Sequence, residues 1–336
     1  MPNRTIGTVD SGSAVLGDSI ERRQKTSGAC PPSLFHRLEG AANRIRAKYF
    51  NGGHKLTTGR GRSLGKLRHA QENLRRYAQI GPRAVVWVPE SGLGFGNVMY
   101  LWLHAFCLRE RGGDSYALST PMMQEWIKRF PAMRQVLIDR NDVRLTDRRL
   151  SGWWSDFGVD FTPEELRLFI KLHVAPSLPE VMTKQNCLTV NIRRGNYYSE
   201  SHFRGTYSFD IQAYVELALD LALSQHGGIA SVQVVSDGAD WCRLKLDRLI
   251  RRYAATVDYV DGLSAVDQFV LLATSSRIIG TNSTFSYWGA YTASALDPQA
   301  RVIMPRFHAR LDGLREAPQL DPRWSVIESI PGGWDA

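Results

Sequence analysis

The run NIRRGNYY, Asn191 to Tyr198, sets two adjacent arginines where an apolar stretch ends. Guanidinium groups keep their charge at working pH, and their planar forks match phosphate oxygens. Arg193 and Arg194 are therefore candidates for anion binding; the other reading is a surface pair bonded to carboxylates. A second run, GTNSTFSYWGAY, Gly280 to Tyr291, passes from a strand pattern into a helix pattern, with Asn282, Ser283 and Thr284 at the junction. Free N–H groups at a helix start, with the positive end of its dipole, suit an anion. The same residues also read as a plain N-cap followed by a core face of Phe285, Trp288 and Tyr291.

A third run, VVSDGADWC, Val234 to Cys242, puts Asp237 just past a strand, where a carboxylate can accept from a base or a ribose. Asp240 reads as the cap of a helix beginning at Trp241. Asp237 and Asp240 have no histidine or third carboxylate nearby, so no metal site is assigned. Asp267 opens a later helix and reads as a cap or a ligand contact. The fourth run, SGLGFGNVMY after Ala84–Val88, has glycines that let backbone approach a phosphate. With Asp114 downstream it raises an NAD-dependent oxidoreductase as a rival. Against that rival, the third glycine of the dinucleotide pattern falls on Asn97, and Pro89–Ser91 lengthen the turn.

These runs need elements to hold them. Strand-like runs stand at Ala84–Val88, Ser115–Leu118, Leu188–Ile192, Val232–Ser236, Val257–Val260, Arg277–Gly280 and Arg301–Met304. Helical stretches stand at Asp210–Leu223, Asp240–Tyr253, Val266–Ala273 and Ser283–Ala295. In the first of them Ile211, Tyr214, Val215, Ala218, Leu219 and Ala222 share one face. Strands alternating with helices predict parallel sheets covered on both faces, an α/β fold. The predicted organisation is a basic leader over 1–83, an N-terminal α/β domain over 84–180 and a C-terminal Rossmann-like domain over 185–305. A final segment, 306–336, is expected to pack back on the body, and Pro176 and Pro179 mark the linker.

The 336 residues are 43% apolar and 22% charged, which excludes wholesale disorder and collagen-like or coiled-coil structure. No apolar run reaches the roughly 18 residues of a membrane helix, and the N-terminus lacks a signal-peptide core. A cytoplasmic protein is the resulting expectation. The formal charge of +9 is unevenly spread: residues 1–83 hold 16 Lys/Arg against 5 Asp/Glu, while the rest is nearly neutral. A basic leader could touch anionic surfaces or simply aid solubility. No nucleic-acid motif accompanies it, so no nucleic-acid partner is expected. The four cysteines form no CxxC pair and read as free thiols.

In this order the runs resemble the α-1,2-fucosyltransferases of glycosyltransferase family 11. NIRRGNYY stands where that family has HxRRxDY, and VVSDGADWC where it has a strand ending in Ser-Asp. DQFVLLATSSRIIGTNSTFSYWGA, Asp267 to Ala290, is similar to its third motif; SGLGFGN is similar to its opening, and PQLDPRWSVI to its closing segment. The resemblance implies a GT-B-like fold, two Rossmann-like α/β domains with the donor in the cleft between them. It implies inverting, metal-independent transfer of L-fucose from GDP-β-L-fucose to a glycan hydroxyl, O-2 of a β-galactoside. Arg194 is then expected at the β-phosphate, with Arg193 beside it. Asn191, Asp237 and Asp267 are expected near the nucleoside. Gly94, Gly96 and Asn97 close over the phosphates, and Asn282, Ser283 and Thr284 supply donors. The family's animal members carry a membrane anchor for which the leader shows no counterpart.

Two departures from the pattern bear on catalysis. The family's histidine is Asn191 and its acid is Asn196, and an amide cannot carry the negative charge of a base. Glu200 is the expected substitute base, with His202 and Asp210 behind it. Transfer of another sugar, or binding of a sugar nucleotide without turnover, remain the alternatives.

Overall fold

The protein was analysed as a computed structural model, which describes residues 84–336 apart from 91, 153–154, 180–186, 312–313 and 336. The basic leader and Cys30 lie outside the described residues.

The first sheet grows from β1 (Val85–Trp87), a buried β-branched run. After it come α1 (Phe95–Glu110), β2 (Ser115–Leu118), α2 (Gln124–Arg129), β3 (Leu137–Ile138), β4 (Arg148–Leu150) and α3 (Pro163–Phe169). The four strands pair in the order β3-β2-β1-β4, every pair parallel. The second sheet starts with β5 (Cys187–Ile192). The short α4 (Gly195–Ser199) and α5 (Ser201–Tyr207) follow, then α6 (Ile211–His226), β6 (Ile229–Ser236), α7 (Ala239–Ile250), β7 (Ala254–Tyr259) and α8 (Ala265–Ala273). The chain ends with β8 (Arg277–Ile279), α9 (Thr284–Leu296), β9 (Arg301–Pro305), the antiparallel pair β10 (Phe307–Leu311) and β11 (Leu314–Glu316), and β12 (Ser325–Ile327). Six strands join in the order β12-β9-β8-β5-β6-β7, again all parallel.

From β5 the chain winds outward through β6 and β7, then returns to β5's other edge and winds away through β8 and β9. Adjacent strands whose connections leave in opposite directions open a crevice at their carboxyl ends, and ligands of doubly wound sheets bind there. The same reversal occurs in the first sheet between β1 and β4. The α/β class with two parallel sheets is therefore present. Strands β3, β4, β10, β11 and β12 were not expected, and β12 extends the large sheet at its outer edge.

Local chemistry explains the helices. Asp210 caps α6 by accepting from the N–H groups of Gln212 and Ala213, and Gly227 ends it at φ 72°. The expected apolar face of α6 is buried against the large sheet. In α7 the expected cap is corrected: the helix begins at Ala239 after Gly238, and Asp240 lies in its first turn facing Arg243. Asp267 is likewise not a cap. Ser264 caps α8, accepting from the Asp267 N–H at 3.1 Å and donating to its carboxylate at 2.7 Å.

Helices α1 and α9 are apolar on nearly every side because they lie between the two sheets. Tyr100 of α1 and Trp288 of α9 are fully buried with ring centroids 5.1 Å apart. Such a ring pair adds about 1 kcal/mol beyond the area it buries. One apolar cluster runs from Val85 through both helices to Trp324, joining the first sheet to the near face of the second. Cys107 and Cys242 are buried, Cys187 is half-buried, and all three are free thiols. No helix among the described residues is long and apolar enough to cross a membrane.

Candidate functional site

A cavity of about 450 Å³ opens where the carboxyl ends of the two sheets face each other. Gly92 to Asn97 and Trp126 form its wall on the first-sheet side. Asn191 to Arg193, Asp237 and Ser283 to Phe285 form the wall on the second.

Two helices begin at this cavity. Gly94 is the N-cap of α1 and has no side chain to occupy the first N–H groups. Ser283 caps α9, its hydroxyl accepting from the Phe285 N–H at 3.2 Å. The two starts are pressed together: a Cβ on Gly96 would lie 2.5 Å from the Thr284 carbonyl carbon and 2.7 Å from the Phe285 nitrogen. Gly92 turns the loop ahead of α1 at φ 87°, a backbone state that favours glycine. Two positive dipole ends thus meet on one side of the cavity.

Arg193 leaves β5 beside them. Its backbone N–H donates to Thr281 Oγ1 at 3.0 Å, which fixes the chain at the strand end. Its guanidinium donates to Asp237 Oδ2 at 2.5 Å and to Asn196 Oδ1 at 2.7 Å, and lies over the Tyr197 ring at 5.2 Å. Asn196, which the sequence marks as a lost acid, thus orients the arginine fork. Gly195 takes φ 25° here, and a Cβ on it would press on Asp237 Oδ2 at 2.5 Å.

Arg194, expected beside Arg193 at one ligand, occupies a different place from it. It does not line the cavity. Its guanidinium is held between the Tyr198 ring, at 3.8 Å, and the Trp241 ring, at 4.0 Å. Burial there lowers its pKa. Its backbone N–H donates to Asp237 Oδ1 at 2.6 Å, so both oxygens of Asp237 are taken by the arginine pair. Asp237 accordingly lines the cavity as the partner of Arg193.

The remaining expected residues divide in the same way. Gly94, Gly96, Asn97, Asn191, Ser283 and Thr284 line the cavity, whereas Glu200, Asp267 and Asn282 do not. The Asn191 amide is committed to packing: it donates to Val235 O at 3.1 Å and accepts from Ser286 Oγ at 2.6 Å. Asn282 donates to the carbonyls of Tyr207 and His308, at 2.9 and 2.7 Å, and so ties α5 and β10 to the start of α9. Glu200, the expected base, is exposed ahead of α5 and is not part of the cavity wall. Asn97 carries a buried Oδ1 with no hydrogen-bond partner among the described residues. An acceptor of that kind in a cavity wall favours a ligand with donors.

Sequence reasoning missed the aromatic lining. Tyr197 and Tyr207 stack with centroids 4.5 Å apart, and Phe95, Trp126, Phe203 and Phe285 complete an apolar half facing the charged one. Burial raises the Tyr197 and Tyr207 phenol pKa values, which keeps both protonated. His308 also lines the cavity, and burial lowers its imidazole pKa to about 3. Phe203 and Tyr207, four apart in SHFRGTY, would have pointed to one packed face on α5. No local signal marks His308.

Residues 163–298 match the family model described as glycosyl transferase family 11. Among curated proteins the chain is similar to galactoside alpha-(1,2)-fucosyltransferase 1 of Bos taurus, 32% identical over 106 residues, covering 31% of this chain and 28% of that protein. It is also similar to an alpha-1,2-colitosyltransferase of Escherichia coli, 25% identical over 131 residues, covering 39% of this chain and 43% of that protein. The matches span less than half the length of these relatives. Among solved structures it is similar to POFUT1 in complex with GDP, with TM-score 0.32, 10% identity and coverage of 70% of this chain and 78% of that one. The Escherichia coli heptosyltransferase WaaC with ADP gives TM-score 0.34, 13% identity and coverage of 75% and 92%.

Proposed function

We propose, from the glycosyl transferase family 11 domain that this chain carries over residues 163–298, that it transfers L-fucose from GDP-β-L-fucose to O-2 of a β-galactoside. The observation that carries the reading is the meeting of two helix starts and Arg193 on one side of a cavity whose other side is aromatic. A diphosphate suits the first side and a base or sugar ring the second. The names of the relatives, a fucosyltransferase and a colitosyltransferase, support the choice of donor class.

In this reading the acceptor hydroxyl attacks the anomeric carbon as the bond to the diphosphate breaks, with inversion. Negative charge grows on the leaving GDP. Arg193 and the N–H groups at the starts of α1 and α9 stabilise that charge without a metal, and each preorganised donor contributes about 3 kcal/mol to the transition state. Asp237 and Asn196 hold the Arg193 fork in place, which spares the cost of orienting it during the reaction.

Incubation with GDP-fucose and lactose, with and without EDTA, tests this. The expected result is release of GDP and a fucosylated trisaccharide at equal rates in both. A second reading, sugar-nucleotide binding without transfer, draws on Asp237, the one acid of the cavity lining among the described residues, being paired with Arg193. Saturable GDP binding with no product from any of several β-galactosides would select it.

A further inference from the structure

Arg310 stands on β10, beyond the stretch that matches the family and outside the cavity lining. Its guanidinium nevertheless gathers oxygens from distant parts of the chain. Nη1 donates to Ser208 O at 2.6 Å, Nε donates to Asp335 Oδ1 at 3.0 Å, and Nη2 donates to Trp334 O. The same group lies over the Phe307 ring, 5.0 Å from its centroid. Its side chain is 19% exposed, against 67% for Arg315, which pairs with the same carboxylate at 2.5 Å. An exposed ion pair adds little to a fold, whereas a half-buried fork bonded through all three of its nitrogens fixes the groups it holds.

Those groups are anchored in their turn. Trp334 stacks on Phe307 with centroids 5.7 Å apart and planes at 13°, meets Phe209 edge-on at 5.4 Å, and donates its indole N–H to Glu328 O at 3.0 Å. Ser208 directly follows Tyr207, whose own carbonyl accepts from Asn282 Nδ2 at 2.9 Å. Two successive carbonyls at the end of α5 are thus held by two different elements, the residue before the α9 cap and the strand β10. Tyr207 lines the cavity and stacks on Tyr197 at 4.5 Å, and Tyr197 carries the Arg193 guanidinium over its ring at 5.2 Å. A contiguous row of contacts therefore runs from Asp335 through Arg310, Ser208, Tyr207 and Tyr197 to the arginine in the cavity wall.

We propose that Arg310 is a positioning residue for the anion-binding wall: by holding Ser208 it sets Tyr207, and through the stack of Tyr207 on Tyr197 it sets where Arg193 presents its charge. The inference rests on the sugar-nucleotide reading above. Arg310 itself touches no ligand, since its N–H groups are spent on the chain. Its influence passes through the Tyr207 ring, so the two residues act as one unit and their removal is not additive.

Calorimetric titration of the full chain with GDP tests it. Arg310→Met should weaken GDP about fivefold, the size of effect that remote residues on a contact network exert. Arg310→Lys, which keeps a charged donor, should recover part of that loss. Arg315→Ala, which loses only the exposed pair, should change the affinity by less than about twofold. In a Tyr207→Ala background, Arg310→Met should likewise cost less than about twofold. A merely structural role would lower the urea midpoint of Arg310→Met and leave the GDP affinity of the folded protein unchanged. That result, or fully additive losses in the double variant, would overturn the proposal. Hydrogen exchange without ligand gives an independent readout: Arg310→Lys should speed exchange over residues 197–207 and leave α9 unaltered, and equal exchange in variant and wild type would also overturn it. Should Arg310→Met or the double variant fail to fold, Arg310→Lys decides by its exchange and its GDP affinity. ADP and UDP serve as controls. A wild-type preference for either would remove the fucosyl-donor reading and move the same comparison to that diphosphate. Wild-type affinity for none of the three would end both, whereas wild-type GDP binding that no Arg310 variant alters would end this inference alone.

Discussion

Gly96 and Thr284 are in such close contact that a Cβ on the glycine would stand 2.5 Å from the threonine's Oγ1. The atoms it meets include backbone on α9, which cannot swing aside as a flexible side-chain tip does. The first turns of α1 and α9 are thereby locked in one arrangement, and both line the cavity.

Gly96→Ala should therefore push the two helix starts apart. Overpacking of this kind costs about 1–3 kcal/mol. The expected outcome is a lower urea midpoint together with weaker GDP binding, read by equilibrium denaturation and calorimetry on the same samples. Gly94→Ala is the control, because nothing lies within 4 Å of the Cβ it would add.

The two arginines should behave differently although they are adjacent. Arg193→Ala removes the guanidinium from the cavity wall and is expected to lower kcat/KM about a hundredfold. Arg194→Ala empties the space between Tyr198 and Trp241, and it should cost about 1–3 kcal/mol of stability through lost cation–π contacts. Urea denaturation and donor kinetics separate the two effects. A larger direct loss of GDP affinity in a folded Arg194→Ala than in Arg193→Ala would refute the division of roles.

Asn282→Ala leaves the carbonyls of Tyr207 and His308 without their shared donor. Losing hydrogen bonds to buried carbonyls should cost about 2 kcal/mol or more. Ser283→Ala removes only the cap and should cost about 1 kcal/mol. Chemical denaturation of both variants checks the ranking.

Acid should weaken the fold through His308. Burial lowers its pKa in the folded protein from the ordinary 6.5 to about 3. Between those values the unfolded chain binds the proton and the folded chain does not, so the neutral ring contributes stability above about 6.5 that is lost as pH falls toward about 3. The loss is on the order of a few kcal/mol when complete. Unfolding free energies at pH 7 and pH 4.5 should differ less in His308→Gln than in wild type.

The parts that could be read from sequence are those decided locally. Runs such as Leu188–Ile192 and Val232–Ser236 are β-branched and buried on both faces, and their strands form where the pattern put them. Strand β4, Arg148–Leu150, has no apolar alternation and exists because it pairs in register with β1. Ser264-x-x-Asp267 is a legible cap in which the serine, not the aspartate, holds the helix start, and it precedes the apolar run that draws attention. The position of Arg194 was closed to sequence reading for another reason. Trp241, which covers it, arrives from a separate strand–helix unit, and no spacing rule links the two. Asn191 and Asn282 read as ligand contacts by motif, and their amides also bond carbonyls and a hydroxyl that only the folded chain brings near.

The apolar cluster that joins α1 to α9 limits how this molecule can admit a substrate. Swinging the halves wide would bring Tyr100, Trp102 and Trp288 into water, a wetting cost that a hinge with a polar seam does not meet. Traffic in and out of the crevice is then expected at its rim, at the glycine loop before α1 and the short α4–α5 segment. A ligand-induced change in small-angle scattering should accordingly be slight, and protection from proteolysis should concentrate at those two rims.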